Sequence, residues 1–373
     1  MPVISVMKND NYSPEELDAS IAAHFEALGL KSLIKPDMRV TVKPNLLTGR
    51  KPDAAVTTHP ELIAAIVRWL RGICVSDITI ADSPSGIYTA AALKGVYAAS
   101  GYAKLGGLAT LNYDCGYAEV SCDPEFRIRS FNIIDPIRNS DFVINACKLK
   151  THAMTGISAG IKNLFGVIPG LLKPEMHYRN PNHDDFAGML LELARTVNPG
   201  VTVIDAIDCM EGNGPSGGTL KHVGLTMASL DVFSQDWYAA TIMGMDPKNV
   251  PMLRLAKERK LIDTNITIVG YNAQPCEKPF ILPDTKSIDF TGYLPRFMRR
   301  GTAAFLDRIL RPIPSVDVSK CVGCGKCAES CPRHIINIEN KKASISRKNC
   351  ISCFCCQEMC PAHAINVKRK IKF

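Results

Sequence analysis

The spacing of cysteines near the end of the chain constrains its fold more than any other feature. Nine of the fifteen cysteines lie between Cys321 and Cys360. Segment 321–338 aligns without gaps on segment 350–367, and nine of the eighteen aligned positions are identical. Each copy contains the pattern C-x2-C-x2-C-x3-C-P, in which three closely spaced cysteines can wrap one face of an iron–sulfur cube. The pattern therefore predicts iron–sulfur clusters.

Zinc is the structural alternative for this tail, because paired C-x2-C sequences also occur in zinc ribbons. A structural zinc ion takes four ligands, which such proteins supply as two pairs. Two cysteine triplets, each followed by a Cys-Pro dipeptide, do not divide into pairs of that kind. The spacing therefore favours iron–sulfur clusters over zinc.

Over about 50 residues the tail resembles the bacterial two-cluster ferredoxins, with all eight ligand positions matched. In that family the fourth cysteine of each copy ligates the other cluster. The resemblance implies two [4Fe–4S] clusters in a small ferredoxin-like α+β domain, which we expect not to fold without iron. Cys355 is an additional cysteine, for which we expect no ligand role. The implied ligand sets are Cys321, Cys324, Cys327 and Cys360 for one cluster, and Cys331, Cys350, Cys353 and Cys356 for the other.

The net charge of +8 is confined to this tail. Residues 320–373 contain 11 Lys and Arg against 3 Asp and Glu, whereas the rest of the chain contains 33 of each. A basic tail suits two anionic clusters and an acidic electron donor or acceptor protein. A solvated basic end is the alternative. No basic stretch is interleaved with aromatic residues, so we expect no nucleic-acid partner.

The first 290 residues alternate short apolar, β-branched runs with helical stretches. This alternation predicts an α/β domain with a mostly parallel sheet. The predicted strands are 39–43, 77–81, 141–149, 201–207, 223–229 and 265–270. The predicted helices are 60–71, 89–100, 156–165, 186–196, 233–243 and 250–260.

Polar residues collect at the predicted carboxyl ends of these strands, where α/β sheets bind ligands. Their lysines and the N-terminus of a following helix suit a carboxylate or phosphate group. Solvated lysines and ordinary turns with helix caps, for example at His59, are the alternatives. The predicted catalytic residues are Lys43, Asp82, Lys148 and His152. The predicted substrate-binding residues are Asn45, His59, Ser83, Ser85, Lys150, Lys162, Asn163, Asp205 and Glu211.

Gly212, Gly214 and Gly217 match the dinucleotide pattern G-x-G-x-x-G. In that fingerprint the glycines precede a helix, whose N-terminus holds the pyrophosphate. Here the following segment, 221–229, is predicted to be a strand. We therefore expect a loop that carries Glu211, and no dinucleotide site.

Five segments of the first domain are similar to the domain of unknown function 362 family. They are VKPN (42–45), TTHPEL (57–62), DSPSG (82–86), KLKTH to GIKNLFG (148–166) and FSQDW (233–237). Members of this family are often described as uncharacterised iron–sulfur-centre proteins, and many carry a ferredoxin tail. The resemblance covers nearly the whole first domain. It implies an α/β domain with a site at these motifs, and no settled reaction.

The predicted domains are an α/β domain (1–290), a linker (291–315) and a ferredoxin domain (316–373). Within the linker, 294–310 has the pattern of an amphipathic helix, which packs on the main domain or lies on a membrane surface. No run of eighteen apolar residues and no signal-peptide pattern occurs. We therefore expect a cytoplasmic protein without a membrane span.

These features favour an oxidoreductase that passes low-potential electrons through two clusters to a small anionic substrate in the α/β domain. The motifs neither require nor exclude a flavin or another redox cofactor there. One alternative is a non-catalytic electron-transfer subunit, whose α/β domain docks a partner enzyme. Another is a metallocofactor maturation factor. A closed pocket at the strand ends favours an enzyme, whereas a flat patch favours docking.

Overall fold

The structure is a computed structural model that describes residues 1–284 and 312–368. The first range contains eleven strands and ten α-helices. The strands are β1 (Val3–Lys8), β2 (Arg39–Lys43), β3 (Asp77–Ile80), β4 (Thr110–Leu111), β5 (Tyr117–Ser121), β6 (Ser130–Ile134), β7 (Phe142–His152), β8 (Gly156–Ser158), β9 (Val201–Glu211), β10 (Thr219–Ser229) and β11 (Thr267–Gly270). The helices are α1 (Pro14–Ala27), α2 (Leu30–Leu33), α3 (Pro60–Gly72), α4 (Ala90–Ala99), α5 (Asp135–Arg138), α6 (Gly160–Asn163), α7 (Leu172–Arg179), α8 (His183–Val197), α9 (Val232–Ile242) and α10 (Pro251–Glu258).

Nine of these strands form one sheet, in the order β11-β1-β10-β9-β7-β2-β3-β4, with β8 paired to β7. The neighbours from β9 to β4 are all parallel. Strand β10 is antiparallel to β9 and β1, and β8 is antiparallel to β7. The sheet is therefore mixed and mostly parallel, as the alternation of strands and helices in the sequence predicts.

Two hydrophobic cores cover the two faces of the sheet, because successive side chains of a strand point to opposite faces. In β7, Ile144 and Ala146 belong to one core, whereas Cys147 and Leu149 belong to the other. Helices α1 and α3 contribute to the first core, and α8 and α10 contribute to the second. The central strands are therefore buried on both faces, as is usual for parallel sheets with helices on each side.

The predicted helix over 156–165 is wrong in its first part. Residues Gly156–Ser158 form β8, which pairs with the end of β7, and only α6 is α-helical. The carboxylate of Asp236 fixes this chain direction, since it accepts the backbone N–H groups of Gly160 (2.8 Å) and Ile161 (2.9 Å). Burial raises the pKa of Asp236 to about 7. Asp236 of the FSQDW segment (233–237) is thus hydrogen-bonded to the first two residues of the GIKNLFG segment (160–166).

Residues 312–368 form a small second unit. Its strands are β12 (Ile313–Val316), β13 (Ile336–Glu339), β14 (Lys342–Ile345) and β15 (Ile365–Lys368), and its helices are α11 (Lys326–Glu329) and α12 (Cys355–Glu358). Strand β12 pairs with β15, and β13 pairs with β14, both antiparallel. The amphipathic helix predicted for 294–310 lies outside the described residues. The predicted domain boundaries stay a prediction for the same reason.

Candidate functional site

A pocket lies between the α/β domain and the second copy of the cysteine repeat; we call it the interface pocket. It encloses about 60 Å³. The cysteine-rich unit contributes Ser330, Cys355, Glu358 and Met359 to its wall. Eight of the thirteen predicted site residues line it from the α/β side, namely Asn45, Asp82, Ser83, Ser85, Lys150, His152, Lys162 and Asn163.

Direct contacts join the two units around this pocket. Arg50 Nη2 donates to the carbonyl oxygen of Pro361 (3.0 Å), and the hydroxyl of Ser216 donates to the carbonyl oxygen of Glu358 (3.4 Å). On the other side, the guanidinium of Arg333 lies over the ring of Tyr178. The second repeat copy, with α12, thus faces the α/β domain.

Lys43 and Asp82 form a buried ion pair of 2.7 Å, with side chains 0% and 2% exposed. Asp82 also accepts the backbone N–H of Leu46 (2.9 Å), so it holds the loop after β2. Gly166 packs directly on the pair, because a Cβ at this position would overlap the Asp82 carboxylate. Asp82 lines the pocket, whereas Lys43 does not. Lys43 is therefore placed to position Asp82.

Three predicted site residues, Lys148, His59 and Asp205, come together away from the interface pocket. Lys148 Nζ lies 2.6 Å from Asp205 Oδ2 and donates to the hydroxyl oxygen of Tyr12 (2.8 Å). Asp205 accepts the backbone N–H of His59 (2.9 Å), whose ring stacks on Tyr12 at 3.8 Å. His59 Nδ1 also accepts the backbone N–H of Glu61, which caps α3. This network has its charges paired internally.

A register shift explains why Lys148 and Lys150 diverge. The pairing of β7 with β9 slips between these two residues, so they do not continue one regular face of the strand. Glu211, at the end of β9, does not line the interface pocket and instead forms an ion pair of 3.0 Å with Lys221. Lys43, His59, Lys148, Asp205 and Glu211 are thus the five predicted site residues that do not line the pocket.

The pocket lysines lack carboxylate partners among the described residues. Lys150 is fully buried and donates to Asn45 Oδ1 (2.5 Å) and to the carbonyl oxygen of Val56 (2.7 Å). Burial, with the nearby charges of Lys148 and Lys162, lowers the pKa of Lys150 to about 7. Lys162 lies over the ring of Phe165 at 4.5 Å, and burial lowers its pKa as well.

A third buried lysine in the pocket wall, Lys173, was not predicted. Its ammonium donates to the carbonyl oxygens of Ile168 (2.6 Å) and Ser83 (2.7 Å) and to the Ser83 hydroxyl (3.0 Å). Burial lowers the pKa of Lys173 to about 7. Lys173 therefore ties α7 to the loop after β3 and adds to the cationic character of the pocket.

His152 meets Glu358 across the interface, with Nε2 and Oε1 3.3 Å apart. Backbone N–H groups of Met154 and Thr155 donate to His152 Nδ1, so the neutral ring carries its proton on Nε2. Burial lowers the pKa of His152. Burial opposes ionisation of Glu358, but His152 and the charge of Lys162 outweigh it and lower the pKa of Glu358 to about 2.

His177 and Glu358 are pocket residues that the sequence did not reveal. His177 lies on α7, which was not predicted, and its ring stacks on Phe186 at 4.2 Å. Burial lowers the pKa of His177 to about 3. Glu358 is repeated as Glu329 in the first copy, but Glu329 is exposed. The repeat therefore gives no signal that distinguishes the two glutamates.

The two predicted ligand sets divide eight of the nine cysteines of the second unit into a first and a second group of four. A cavity of about 20 Å³ is lined by Cys321, Cys324, Cys327 and Cys360. In the second group, burial raises the pKa of the Cys356 thiol, and the nearby thiols of Cys353, Cys350 and Cys331, with Cys327 of the first group, raise it further. Backbone N–H groups of Ala343 and Ala364 donate to the sulfurs of Cys321 and Cys360. Cysteine sulfurs that accept backbone N–H groups suit iron–sulfur ligation, in which the metal binds the thiolate form.

Comparisons with known families agree with this architecture. The model of the domain of unknown function DUF362 matches residues 40–241. The chain belongs to the DUF362 family. A 4Fe-4S dicluster domain model matches residues 313–361, so the C-terminal unit is an iron–sulfur domain. Thylakoid-associated protein sll1697 of Synechocystis sp. is 31% identical over 317 residues, which are 83% of this chain and 96% of that protein.

Two solved structures share a weak likeness with this DUF362 protein. The lactate racemase apoprotein from Thermoanaerobacterium thermosaccharolyticum has 12% identity and a TM-score of 0.41, covering 62% of this chain and 54% of that one. A structural-genomics protein from Thermotoga maritima has 11% identity and a TM-score of 0.36, covering 68% and 60%. This chain thus spans less than two thirds of either protein, and neither likeness supports a functional argument.

No helix within residues 1–284 and 312–368 is long and apolar enough to cross a membrane. The printed name of the Synechocystis relative associates that protein with thylakoids. The cytoplasmic location of this DUF362 protein stays a prediction.

Proposed function

We propose that this DUF362 protein is an oxidoreductase that passes low-potential electrons, by way of two [4Fe–4S] clusters, to a small anionic substrate in the interface pocket. One observation carries the proposal: the pocket wall includes Cys355 and Glu358, which lie among the cysteines of the second group. Ser330, next to Cys331 of that group, also lines it. The pocket is thus placed beside one of the two cysteine groups.

The two groups of four cysteines would each hold one cluster, with the crossed ligand sets stated above. Such clusters supply one-electron transfers at reduction potentials within about −700 to +450 mV. In the pocket, Lys150 and Lys162 attract the anion. The backbone N–H groups of Met154 and Thr155 hold the His152 ring, which supplies its Nε2 proton to the bound molecule. Lys150, His152 and Lys162 are buried, and burial strengthens their electrostatic interactions with a bound anion.

The first copy of the repeat supports a site for electron entry. Cys324 is exposed, and its neighbour Val322 is 64% exposed. In the second copy, by contrast, Cys353, Cys355 and Cys356 are buried. A low-potential donor protein can therefore approach the first cysteine group, while the second group lies against the pocket. The surplus of Lys and Arg in the tail favours an acidic donor.

A non-catalytic electron-transfer subunit is the alternative function. A concave pocket lined by buried lysines favours an enzyme over that alternative, because a docking surface needs no such pocket. Nothing in the described residues specifically favours a metallocofactor maturation factor or a further redox cofactor.

The test uses anaerobically reconstituted protein that has been reduced with dithionite. We expect a small anion that binds the pocket to reoxidise the protein, followed by visible absorbance. His152→Asn should lower the rate of reoxidation at least 100-fold and leave iron content and dithionite reduction unchanged, since general acid catalysis contributes about 10²–10⁴-fold.

His222→Asn is the matched control for this variant. His222 is exposed on β10, where it contacts Asp208, so its loss should leave the rate unchanged. If no anion that binds the protein reoxidises it, the oxidoreductase proposal is wrong. Equal reoxidation rates for the two histidine variants would instead show that His152 takes no part in the reaction.

A further inference from the structure

Buried polar atoms without hydrogen-bond partners are concentrated in the interface pocket. Nine such side-chain atoms occur among the described residues, and four of them belong to the pocket wall. These four are His152 Nε2, Asn163 Oδ1, His177 Nδ1 and Glu358 Oε1. Buried polar groups in proteins rarely stay unpaired, so these atoms indicate a bound molecule, and the donor or acceptor roles of His152, Asn163 and Glu358 constrain its chemistry.

Two groups in this wall are hydrogen-bond donors without an acceptor. His152 carries its proton on Nε2, because its Nδ1 accepts two backbone N–H groups. Although Nε2 lies 3.3 Å from Glu358 Oε1, the two atoms do not meet in hydrogen-bond geometry. The ammonium of Lys162 makes no hydrogen bond or ion pair with any residue in the described part of the chain. A carboxylate of the ligand would satisfy both donors.

Two other groups are acceptors without a donor. Glu358 Oε1 is a buried side-chain oxygen with no donor in hydrogen-bond geometry, and a carboxylate oxygen accepts. For Asn163 the orientation of the amide follows from its neighbour: Asn145 Nδ2 donates to the carbonyl oxygen of Gly160, so Asn145 Oδ1 must accept. Asn163 Nδ2 donates to that oxygen at 2.8 Å, which leaves Asn163 Oδ1 as an acceptor. The ligand must therefore also carry an O–H or N–H group.

We propose that the interface pocket binds a small carboxylate that carries its own hydrogen-bond donor, namely a hydroxycarboxylate. Its carboxylate lies at Lys162 and His152, and its hydroxyl group donates to Glu358 or Asn163. This inference rests on the proposed function only in taking the pocket as the substrate site. The pocket volume of about 60 Å³ suits a small acid such as glycolate, which has five non-hydrogen atoms.

Two neighbouring ligand classes fit less well. A plain carboxylate leaves Glu358 and Asn163 unpaired. An amino acid offers N–H donors that Glu358 can accept, but its ammonium adds a positive charge to a wall that already contains three lysines, Lys150, Lys162 and Lys173. A hydroxyl group supplies the missing donor without adding charge, which is why the hydroxycarboxylate is preferred.

The test compares glycolate with acetate, which differ by one hydroxyl group, by calorimetric titration of the reconstituted, oxidised protein. We expect glycolate to bind at least ten-fold more tightly than acetate. Lys162→Met should weaken both ligands by a similar factor and so preserve their ratio. Glu358→Gln should instead reduce the ratio to about three-fold or less, because the amide replaces one acceptor oxygen with a donor.

Glu329→Gln is the matched control, since Glu329 occupies the equivalent position in the first copy and is exposed. It should leave the ratio unchanged, and iron content should be equal in all variants. Equal binding of glycolate and acetate overturns the proposal, as does tighter binding of inorganic phosphate than of glycolate. Failure of both acids to bind overturns it too, with only ordered water then filling the pocket.

The two proposals can fail separately in these experiments. The titration requires no electron transfer, so glycolate binding without any reoxidising anion would contradict the oxidoreductase and leave the ligand class standing. Reoxidation by a pocket-bound anion without a hydroxyl group would contradict the ligand class and leave the oxidoreductase standing.

Discussion

At the scale of the residue, three buried lysines near the strand ends differ in charge state because their hydrogen-bonding partners differ. Lys43 and Lys148 each contact a buried carboxylate, at 2.7 and 2.6 Å, and so are neutralised within the fold. Lys150 is equally buried, but its partners are an amide oxygen and a carbonyl oxygen. A buried ammonium without a carboxylate is costly, which is why the pKa of Lys150 falls to about 7.

The binding of anions should depend on pH through Lys150. As the pH falls from 8 to 6 this amine becomes charged, so the affinity of the pocket for glycolate should increase, by about ten-fold. Lys150→Met should remove most of this increase, with Lys173 accounting for the rest. The exposed Lys104→Met is the control. Titration calorimetry at pH 8, 7 and 6 provides the measurement, and an affinity that rises with pH would contradict the assignment.

His24 should make the stability of the α/β domain depend on pH. Its ring is fully buried between the hydroxyl oxygens of Ser5 (2.8 Å) and Thr226 (2.9 Å), and burial lowers its pKa to about 3. The unfolded chain binds a proton near pH 6.5, which the folded chain does not bind until about pH 3. The free energy of unfolding therefore falls as the pH falls below 6.5, by about 2 kcal/mol at pH 5 for this residue.

Urea unfolding of wild type and His24→Gln at pH 7 and pH 5 measures this effect. The variant should lose less stability than wild type between the two pH values, whatever its stability at pH 7. Because cluster loss at low pH is common to both proteins, it cancels in the difference. An equal loss in both proteins would show that His24 is not the titrating group.

At the scale of the element, the sequence predicted the parallel strands well and the site-bearing strand poorly. The predicted strand 141–149 included Lys148, but Lys150 and His152 were expected beyond its end. The strand continues to His152 because β8 folds back and pairs with its last three residues. The local sequence contains no pattern that predicts this pairing. Helix α1 was not predicted, because its buried face contains the polar residues Ser20 and His24 beside apolar residues and so lacks a continuous apolar pattern.

The two repeat copies share backbone conformation where their side chains differ. Gly323 and Gly325 have positive φ (69° and 79°), and so do their counterparts Ser352 and Phe354 (53° and 59°). Glycine is thus not obligatory for the left-handed conformation itself, which other residues adopt here at a cost of about 1–2 kcal/mol. Surroundings distinguish the two glycines. A Cβ on Gly323 would overlap the carbonyl oxygen of Lys341, whereas a Cβ on Gly325 meets nothing within 4 Å.

Alanine substitutions should separate these two glycines. Gly323→Ala adds a backbone clash to the conformational strain and should reduce the iron retained after anaerobic reconstitution to half or less. Gly325→Ala carries the strain alone and should retain nearly as much iron as wild type. Iron and sulfide analysis of both variants gives the answer, and equal retention would mean that the loop shifts freely to relieve the clash.

At the scale of the whole molecule, the pocket exists because one repeat copy docks on the α/β domain. The sequence predicted both units and eight residues of the pocket wall, but not which residues of the cysteine-rich unit complete that wall. The two copies have nearly the same motif, and only the folded molecule shows which one turns inward. Glu358 contacts residues that are distant in the sequence, such as His152, which lies about 200 residues earlier in the chain.

Iron removal should therefore abolish ligand binding. If the cysteine-rich unit unfolds without iron, the pocket loses Cys355, Glu358 and Met359 from its wall, and glycolate affinity should fall at least ten-fold. By linkage, bound glycolate should slow the loss of iron to a chelator. Lys162→Met should remove this protection, whereas Lys104→Met should not. Iron loss at the same rate with and without saturating glycolate would contradict the coupling.

The position of Lys150 and His152 within β7 has a consequence for selectivity. Hydrogen bonds to β8 and β9 hold the backbone of this segment, so the ligand meets a surface whose conformation is already fixed. Little ordering accompanies binding to such a surface, and little adjustment is available to a molecule of the wrong shape. We therefore expect a narrow ligand range, in which one added methyl group already weakens binding.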